Sequence, residues 1–555
     1  MASIKFSKKI FEKEIGKLTD EMQKKIALFG TTVESFDDDE IELDVTPDRP
    51  DLLSYQNFKR SFLAFLGKKT GLKNYVANKP EKNFLVKVDS SVKDVRSYTA
   101  CAIVKGLKLD DDKIKEIIEF QEKIHTTLGR KRKKLAIGIY PLDKIKLPVT
   151  FKALEPDKIK FIPLEMDREM SGLQILQRHP TGRDYAHLLA GKTKFPVFVD
   201  AENNVLSMPP IINSHMTGKV EIKTKDVFVE CSGFDLDVLK KCLNILLVSL
   251  SEMGGKIYQM EISGIKGEKV SPVFDSEKMK ISLENVNRIL GLKLDDKTLK
   301  LLLEKMGHDY DIKTKQVEIG CWRTDILHEV DLIEDIAIAY GYDNFVPEIP
   351  RISTIGSENH VETLKRKISD VISGLEMLEV SNFHLTNKKD LFTKMGISEK
   401  STSGNGVVEL EESKTEYNLL RKDLTHYIMK VFSENVDSEY PQKIYETGRV
   451  FWESDVKGVE EKEHLSVGVS PGNFTEVKEI LFYIFRMLGL KENLSVSESD
   501  NPPSYFVDGR VGEILFNGKV IGFIGEIHPR ILKNWKVKMP VALFEISLEE
   551  VFASL

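Results

Sequence analysis

RTDILHEVDLIEDIAIAYGYDNF, residues 323–345, sets four carboxylates, Asp325, Asp331, Glu334 and Asp335, close together ahead of a Gly-Tyr-Asp turn. Like charges three or four residues apart destabilise a helix, so something must offset them. On a helical wheel of about 100° per residue, Asp331, Glu334 and Asp335 share an arc of about 100°. Leu332, Ile333, Ile336, Ala337 and Tyr340 occupy the other side, so the spacing predicts a helix with one buried face. Asp325 lies near the helix start and can fold back toward the other three. The residues leave two readings open. In one, the helix dipole and water hold the acids. In the other, a hard divalent cation sits among them, since carboxylate oxygens with retained waters suit magnesium.

Working outward, residues 271–345 read as a compact helical unit. Ser282 is placed to cap LENVNRILG, DDKTLKLLLEKMG forms a second helix ending in Gly307, and VEIGCW is a short strand. Residues 1–75 read as a small α/β domain, with Ile41, Leu43 and Val45 alternating along a strand. TPDRPD reads as turn and cap chemistry, with Asp51 expected to cap the helix LLSYQNFKRSFLAFLG and Gly67 to stop it. Residues 80–265 read as a central mixed α/β domain. In it, five basic residues, Arg130 to Lys134, precede the apolar strand LAIGIY. They form either a solvated loop or a phosphate-contacting patch. Further on, Pro209 and Pro210 end a strand, a polar turn holds Asn213, Ser214, His215, Met216 and Thr217, and KDVFVECSG is the next strand. From 350 to 555, strands group together with peripheral helices and without βαβ alternation. The fold class is therefore α+β and multidomain, with an antiparallel sheet at the C-terminal end.

The totals fit that reading. The 555 residues are 41% hydrophobic and 30% charged, an ordinary globular composition, and such a length suggests about three to five domains. A net charge of −6 gives no global attraction for nucleic acid, so any such binding is local. Cys101, Cys231, Cys242 and Cys321 make no CxxC pair, which fits a reducing cytosol. The charged start MASIKFSKKIFEKE is not a secretory signal, and no apolar run approaches a membrane span.

Five segments in order, LDVTPDRPDLLS, PPIINSHMTGKV, RTDILHEVDLIEDIAIAYGYDNF, EYPQKIYETGRVF and IGFIGEIHP, resemble the phenylalanyl-tRNA synthetase beta subunits of the archaeal and eukaryotic type. The resemblance implies an (αβ)₂ heterotetramer that charges tRNA-Phe with phenylalanine in the cytoplasm. ATP would be used at the alpha subunit, through an aminoacyl-adenylate. It implies that Asp325, Asp331, Glu334 and Asp335 are magnesium ligands shared with that alpha subunit. It also implies that 350–555 is a class II synthetase-like domain without catalytic motifs. MPVALFEISLEEVF, where a glycine and an ATP-binding arginine would stand, has neither. Arg449 is expected to make a structural salt bridge with Glu446 or a neighbour. The central domain is implied to be of the editing type, clearing tyrosine misattached to tRNA-Phe. An apolar pocket rejects an added hydroxyl only about a hundredfold, which is why a second site is needed. Asn213, Ser214 and Thr217 are then expected to hold the ester and its water, and Glu230, on the next strand, to accept the tyrosine hydroxyl, with Leu206 framing the turn. Neither the inserted OB-fold nor the C-terminal anticodon module of the bacterial form is expected. The alternative is a non-catalytic tRNA-binding or scaffold protein derived from this subunit.

Overall fold

In the computed structural model, which describes residues 2–264, 269–349, 353–398, 406–411, 413–454 and 456–555, Glu40–Val45 is the middle strand of a three-stranded antiparallel sheet, between Ala2–Ser7 and Thr31–Phe36. Ile41, Leu43 and Val45 point into the core, as their alternation requires. The helix that follows is Tyr55–Phe65, and its N-cap is Ser54, whose Oγ accepts from Asn57 N at 3.2 Å. Asp51 is not the cap. It lies in the short turn Pro50–Leu52, where its carboxylate is gripped by Arg49 at 2.9 and 3.0 Å. A buried guanidinium outcompetes backbone N–H groups for that carboxylate. Gly67 follows the helix with a left-handed φ of +74°, the conformation a stop requires.

The central region is a mixed sheet of eleven strands. Val227–Gly233 is buried along its whole length and pairs antiparallel with Tyr98–Lys105 on one side and Leu135–Pro141 on the other. Leu135–Pro141 is the edge strand at that end. At the other end come Phe195–Val199, Val205–Met208 and the two-residue strand Ile212–Asn213. Helix Asp111–Thr126 packs against Leu135–Pro141, and helix Leu236–Glu252 against Tyr98–Lys105. Helices Leu283–Leu290, Asp296–Lys305 and Glu329–Tyr340 complete this half of the chain. Ser282 caps the first of them, accepting from Asn285 N at 3.3 Å. The unit is less purely helical than its sequence suggests. The strand expected in VEIGCW, Gln316–Ile319, is the middle of a three-stranded antiparallel sheet with Glu277–Lys280 and Asp309–Asp311, which are too short and too charged to show a period. The main apolar core of this half runs from Ile4 to Ala339, with two smaller clusters around Phe151 and Ile175, and the chain divides into the compact units Met1–Ile349 and Pro350–Leu555.

The second unit is a seven-stranded sheet in the order Leu378–Glu379, Gln442–Ser454, Gly458–Ser470, Ala542–Ser547, Lys519–Ile527, Phe506–Phe516, Leu494–Ser497. Every neighbouring pair is antiparallel except the first. Phe506–Phe516 and Lys519–Ile527 form a hairpin turning on Asn517-Gly518, both left-handed, as a tight two-residue turn requires. Helices His360–Ser373 and Phe474–Met487 share one apolar cluster with the sheet, and Thr425–Glu434 and Pro529–Trp535 share another. Arg449 pairs with Glu461 at 2.8 Å and Glu463 at 3.3 Å, not with Glu446. Glu446 is instead held by Arg421 at 2.6 Å.

Candidate functional site

The acidic stretch resolves into separate arrangements. Asp331 folds back over the start of helix Glu329–Tyr340, where its Oδ2 accepts from Leu327 N and His328 N, both at 2.7 Å. Asp325 accepts a two-pronged bond from Arg323, at 2.9 Å from Nε and 2.6 Å from Nη2. The same Nη2 lies 2.9 Å from Asp335 Oδ2. His308 Nε2 donates to that oxygen at 2.7 Å. Burial alone would raise the Asp335 carboxyl. Arg323 and then His308 more than offset it and hold the group below the usual carboxylate range. Arg49, bound to Asp51, lies 3.9 Å from Asp325, so the TPDRPD turn and the acidic helix meet in one buried ionic cluster. Glu334 alone is exposed, its carboxyl pushed up by partial burial and by Asp335, Asp48 and Asp331.

Within this chain Asp325 and Asp335 are neutralised by guanidinium groups and Asp331 is engaged by backbone N–H donors, which leaves Glu334 as the one carboxylate of the four open to solvent. Among the described residues no group of three or more His, Cys, Asp or Glu side chains is disposed to hold a metal.

A cavity of about 550 Å³ opens along the edge strand Leu135–Pro141, a size typical of small-ligand sites. Ile114, Ile117, Ile137, Ile139 and Ile211 supply apolar wall; Glu122, Arg132, Asn213, His215 and Glu230 supply the polar groups. Glu230 is 1% exposed. Its Oε1 lies 3.2 Å from the Tyr140 hydroxyl, while its Oε2 is buried with no hydrogen-bond partner. Burial pushes the Glu230 carboxyl up to about 8, against the opposing pull of Arg96 and Tyr140, so it is largely protonated at neutral pH. The Tyr140 hydroxyl also lies 2.8 Å from Ser207 Oγ and 3.4 Å from Asn213 Oδ1, and its one proton serves one of these at a time. Gly138 stands opposite Glu230 in the strand pairing, and a Cβ there would meet the Tyr140 hydroxyl at 2.1 Å. Glycine is what lets the phenol lie beside the carboxyl.

The four expected editing residues divide into two pairs. Asn213 and Glu230 line the cavity. Ser214 and Thr217 are buried and are not on its wall. Ser214 N donates to Leu206 O at 2.8 Å, its own carbonyl accepts from Gly218 N at 2.8 Å, and Thr217 Oγ1 donates to Leu206 O at 3.3 Å. These two close the turn, while His215 reaches the wall between them.

Arg132 reaches the same cavity from the basic loop. Arg130, Lys131 and Arg132 run consecutively at φ of 46°, 53° and 63°, a conformation that costs non-glycine residues about 1 kcal/mol or more each. The loop returns Arg132 to the cavity, where it donates to Pro210 O at 3.2 Å, Ile211 O at 2.8 Å and Glu122 Oε1 at 2.6 Å. Burial raises the Glu122 carboxyl, but His125 and Arg132 outweigh it and lower it to about 2. Tyr140, Ser207 and Gly138 carry no signal in the sequence. Only the register that sets Ser207 against Asn213 and Gly138 against Glu230 brings them together.

Residues 279–342 match the tRNA synthetase B5 domain, and residues 346–548 match the phenylalanyl tRNA synthetase beta chain CLM domain. The phenylalanine–tRNA ligase beta subunit of Thermococcus sibiricus is 39% identical over 511 residues, covering 91% of this chain and 89% of that one. That of Archaeoglobus fulgidus is 35% identical over 545 residues, covering 98% and 97%. Among solved structures, an N-terminal fragment of the phenylalanyl-tRNA synthetase beta subunit from Pyrococcus horikoshii superposes with a TM-score of 0.58 at 36% identity, covering 61% of this chain and 99% of that one.

Proposed function

The chain belongs to the family of phenylalanine–tRNA ligase beta subunits, and from that premise we propose that the cavity at Glu230 hydrolyses tyrosine from mischarged tRNA-Phe. As a ligase component the chain acts with an alpha chain, which binds ATP and forms the aminoacyl-adenylate, in an (αβ)₂ heterotetramer that takes tRNA-Phe. The free, buried cysteines, with Cys231 and Cys242 Sγ atoms 3.8 Å apart, agree with a cytoplasmic setting.

The observation that carries the editing reading is the unpartnered carboxyl oxygen of Glu230, a residue on the wall of a cavity that isoleucine side chains also line. A tyrosine side chain fills the apolar wall and donates its hydroxyl to that oxygen. Phenylalanine fits the same wall but leaves the oxygen bare, and a bare buried acceptor costs about 1–3 kcal/mol. A protonated Glu230 still accepts through its carbonyl oxygen, so no charge need be stabilised in the apolar wall. Hydrolysis then needs only an oriented water. The water oxygen bonds to the ester carbonyl carbon, the bond to the ribose oxygen breaks, and the proton leaves with the ribose hydroxyl. Asn213 and His215, on the same wall, are the groups that position that water, and Ser214 and Thr217 hold the turn that carries them. Arg130 and Lys131, exposed beside Arg132, suit the phosphates of the acceptor end.

The test is deacylation of tyrosyl-tRNA-Phe by the complex carrying Glu230→Ala. Tyrosyl-tRNA accumulates while phenylalanine charging stays intact. Clearance at the wild-type rate would move the site elsewhere or remove editing from this chain. Pyrophosphate exchange dependent on phenylalanine is expected to need the alpha chain, and its appearance with the isolated beta chain would refute that division.

A further inference from the structure

Beside the Arg49–Arg323 cluster lies a second cavity, of about 220 Å³, between helix Tyr55–Phe65, the connection Lys69–Lys73, and Met306, Trp322 and Arg323. Its walls carry six cationic side chains, Arg49, Lys59, Arg60, Lys69, Lys73 and Arg323, against one carboxylate, Glu252. Four of the cations are committed: Arg49 to Asp51, Arg323 to Asp325 and Asp335, Lys59 to Glu14 at 3.0 Å, and Lys73 to Glu252 at 2.6 Å. Glu252 also accepts from the Tyr75 hydroxyl, so its charge is answered.

Two cations remain. Arg60 uses Nη1 on Asn57 Oδ1 at 3.1 Å and on the Tyr75 hydroxyl at 3.5 Å, but its Nη2 is sealed from solvent and has no partner. Its guanidinium lies over Trp322, 4.6 Å from the ring centroid, which restrains the group. The Lys69 ammonium, exposed at the mouth, has no ion pair or hydrogen bond among the described residues. The loop that carries it is pinned: Gly71 N donates to Glu304 O at 2.7 Å and Leu72 N to Asp309 Oδ1 at 2.9 Å. Leu63, Ala64, Leu72 and Met306 supply an apolar wall opposite these charges.

We propose that this cavity binds a small oxyanion, a phosphate or carboxylate, carried on a short apolar body. Arg60 Nη2 donates to the oxyanion, Lys69 closes over it, and the apolar body lies against Leu63, Leu72 and Met306. A buried guanidinium donor without an acceptor is costly, and an oxyanion answers it with a charge-assisted bond. Arg60 lines the recess rather than the open surface, so a free small anion suits it better than an RNA backbone phosphate, which is held on both sides by its own chain.

The test uses the assembled complex, with phenyl phosphate, benzoate and inorganic phosphate as probes and calorimetry and Trp322 fluorescence as readouts. Saturable binding is expected for phenyl phosphate or benzoate, with bare phosphate weaker. Arg60→Met should weaken it at least about tenfold and Lys69→Ala about threefold, the range for losing one charge-assisted contact at a buried and an exposed position. Trp322→Phe should abolish the fluorescence change while calorimetric binding persists. Lys69→Ala removes an exposed, unpartnered group, so it keeps the test decisive even if Arg60→Met fails to fold. No saturable binding of any probe up to about 10 mM, or affinity unchanged in Lys69→Ala and in any folded Arg60→Met, overturns the proposal. Competition by tRNA alone, with no small-anion binding, would also overturn it, in favour of a backbone contact.

Discussion

Glu230 and Glu446 are both buried carboxylates within sheet strands, yet they sit in opposite circumstances. Glu446 Oε1 accepts from Arg421 Nη1 at 2.6 Å and Asn382 N at 3.2 Å, and its Oε2 accepts from Asn382 Nδ2 at 2.7 Å. Gly448 keeps the approach open, since a Cβ there would meet Arg421 Nη2 at 2.4 Å. Glu230 has one phenol on Oε1 and nothing on Oε2. Burial of a charge is thus not by itself a mark of a site. Glu446 is satisfied on both oxygens by its own protein, whereas Glu230 is held short of satisfaction on the wall of a cavity. The same contrast accounts for the proposed division of labour between an editing region and a C-terminal sheet that has kept its architecture without an open group at this point.

The sharpest way to break the contrast is Glu230→Ala in the complex. Discrimination between tyrosyl and phenylalanyl esters should fall by up to about 10⁴, as for sites built around a substrate hydroxyl, measured as the ratio of deacylation rates. An unchanged ratio would put Glu230 with Glu446, as structure only. Glu446→Ala should act on stability instead, by about 3–5 kcal/mol, because it strands Arg421 in the interior. The denaturant midpoint of the C-terminal transition measures it, and deacylation should not move in complex that remains folded. Third, the Glu230 carboxyl rises from 4.5 unfolded to about 8 folded. The folded state therefore binds more protons between those values, and stability falls as pH climbs from about 4.5 through 8, by a few kcal/mol. Glu230→Gln should flatten that slope, as read from denaturation at pH 5, 6.5 and 8, and an equal slope in both proteins would contradict it. The smallest effect belongs to Thr217→Val. Leu206 O keeps the bond from Ser214 N, so the loss should stay under about 1 kcal/mol and selectivity should not change.

What the sequence discloses is what is local. The alternation of Ile41, Leu43 and Val45, the Ser282 cap and the Gly67 stop are each fixed by a few adjacent residues, and each stands in the structure. Asp51 misleads because the residue that claims it, Arg49, is itself steadied by Asp325, far along the chain. The helical wheel sets Asp331, Glu334 and Asp335 together on the face away from the core, whereas Asp335 is buried; the wheel cannot show that Arg323 and His308 will lie beside it and backbone N–H groups beside Asp331. At the cavity, Asn213 and Glu230 come from a polar turn and the strand after it. Tyr140 and Ser207 depend on strand register, which no short segment encodes.

The cluster of Arg49, Asp51, His308, Arg323, Asp325 and Asp335 has a consequence for how such a chain can change over time. Each member is tolerable only because the others are present. Loss of Arg49 leaves Asp51 bare and weakens the support of Asp325, a penalty of several kcal/mol for one buried unpaired charge. An isolated substitution is therefore selected against, while a paired one, exchanging a charge in the turn near residue 49 together with one near residue 325, can pass. The two segments are thus coupled through Arg49 and Asp325, although most of the first unit's sequence lies between them. Anyone grafting the acidic helix into another scaffold must carry the proline-framed turn with it.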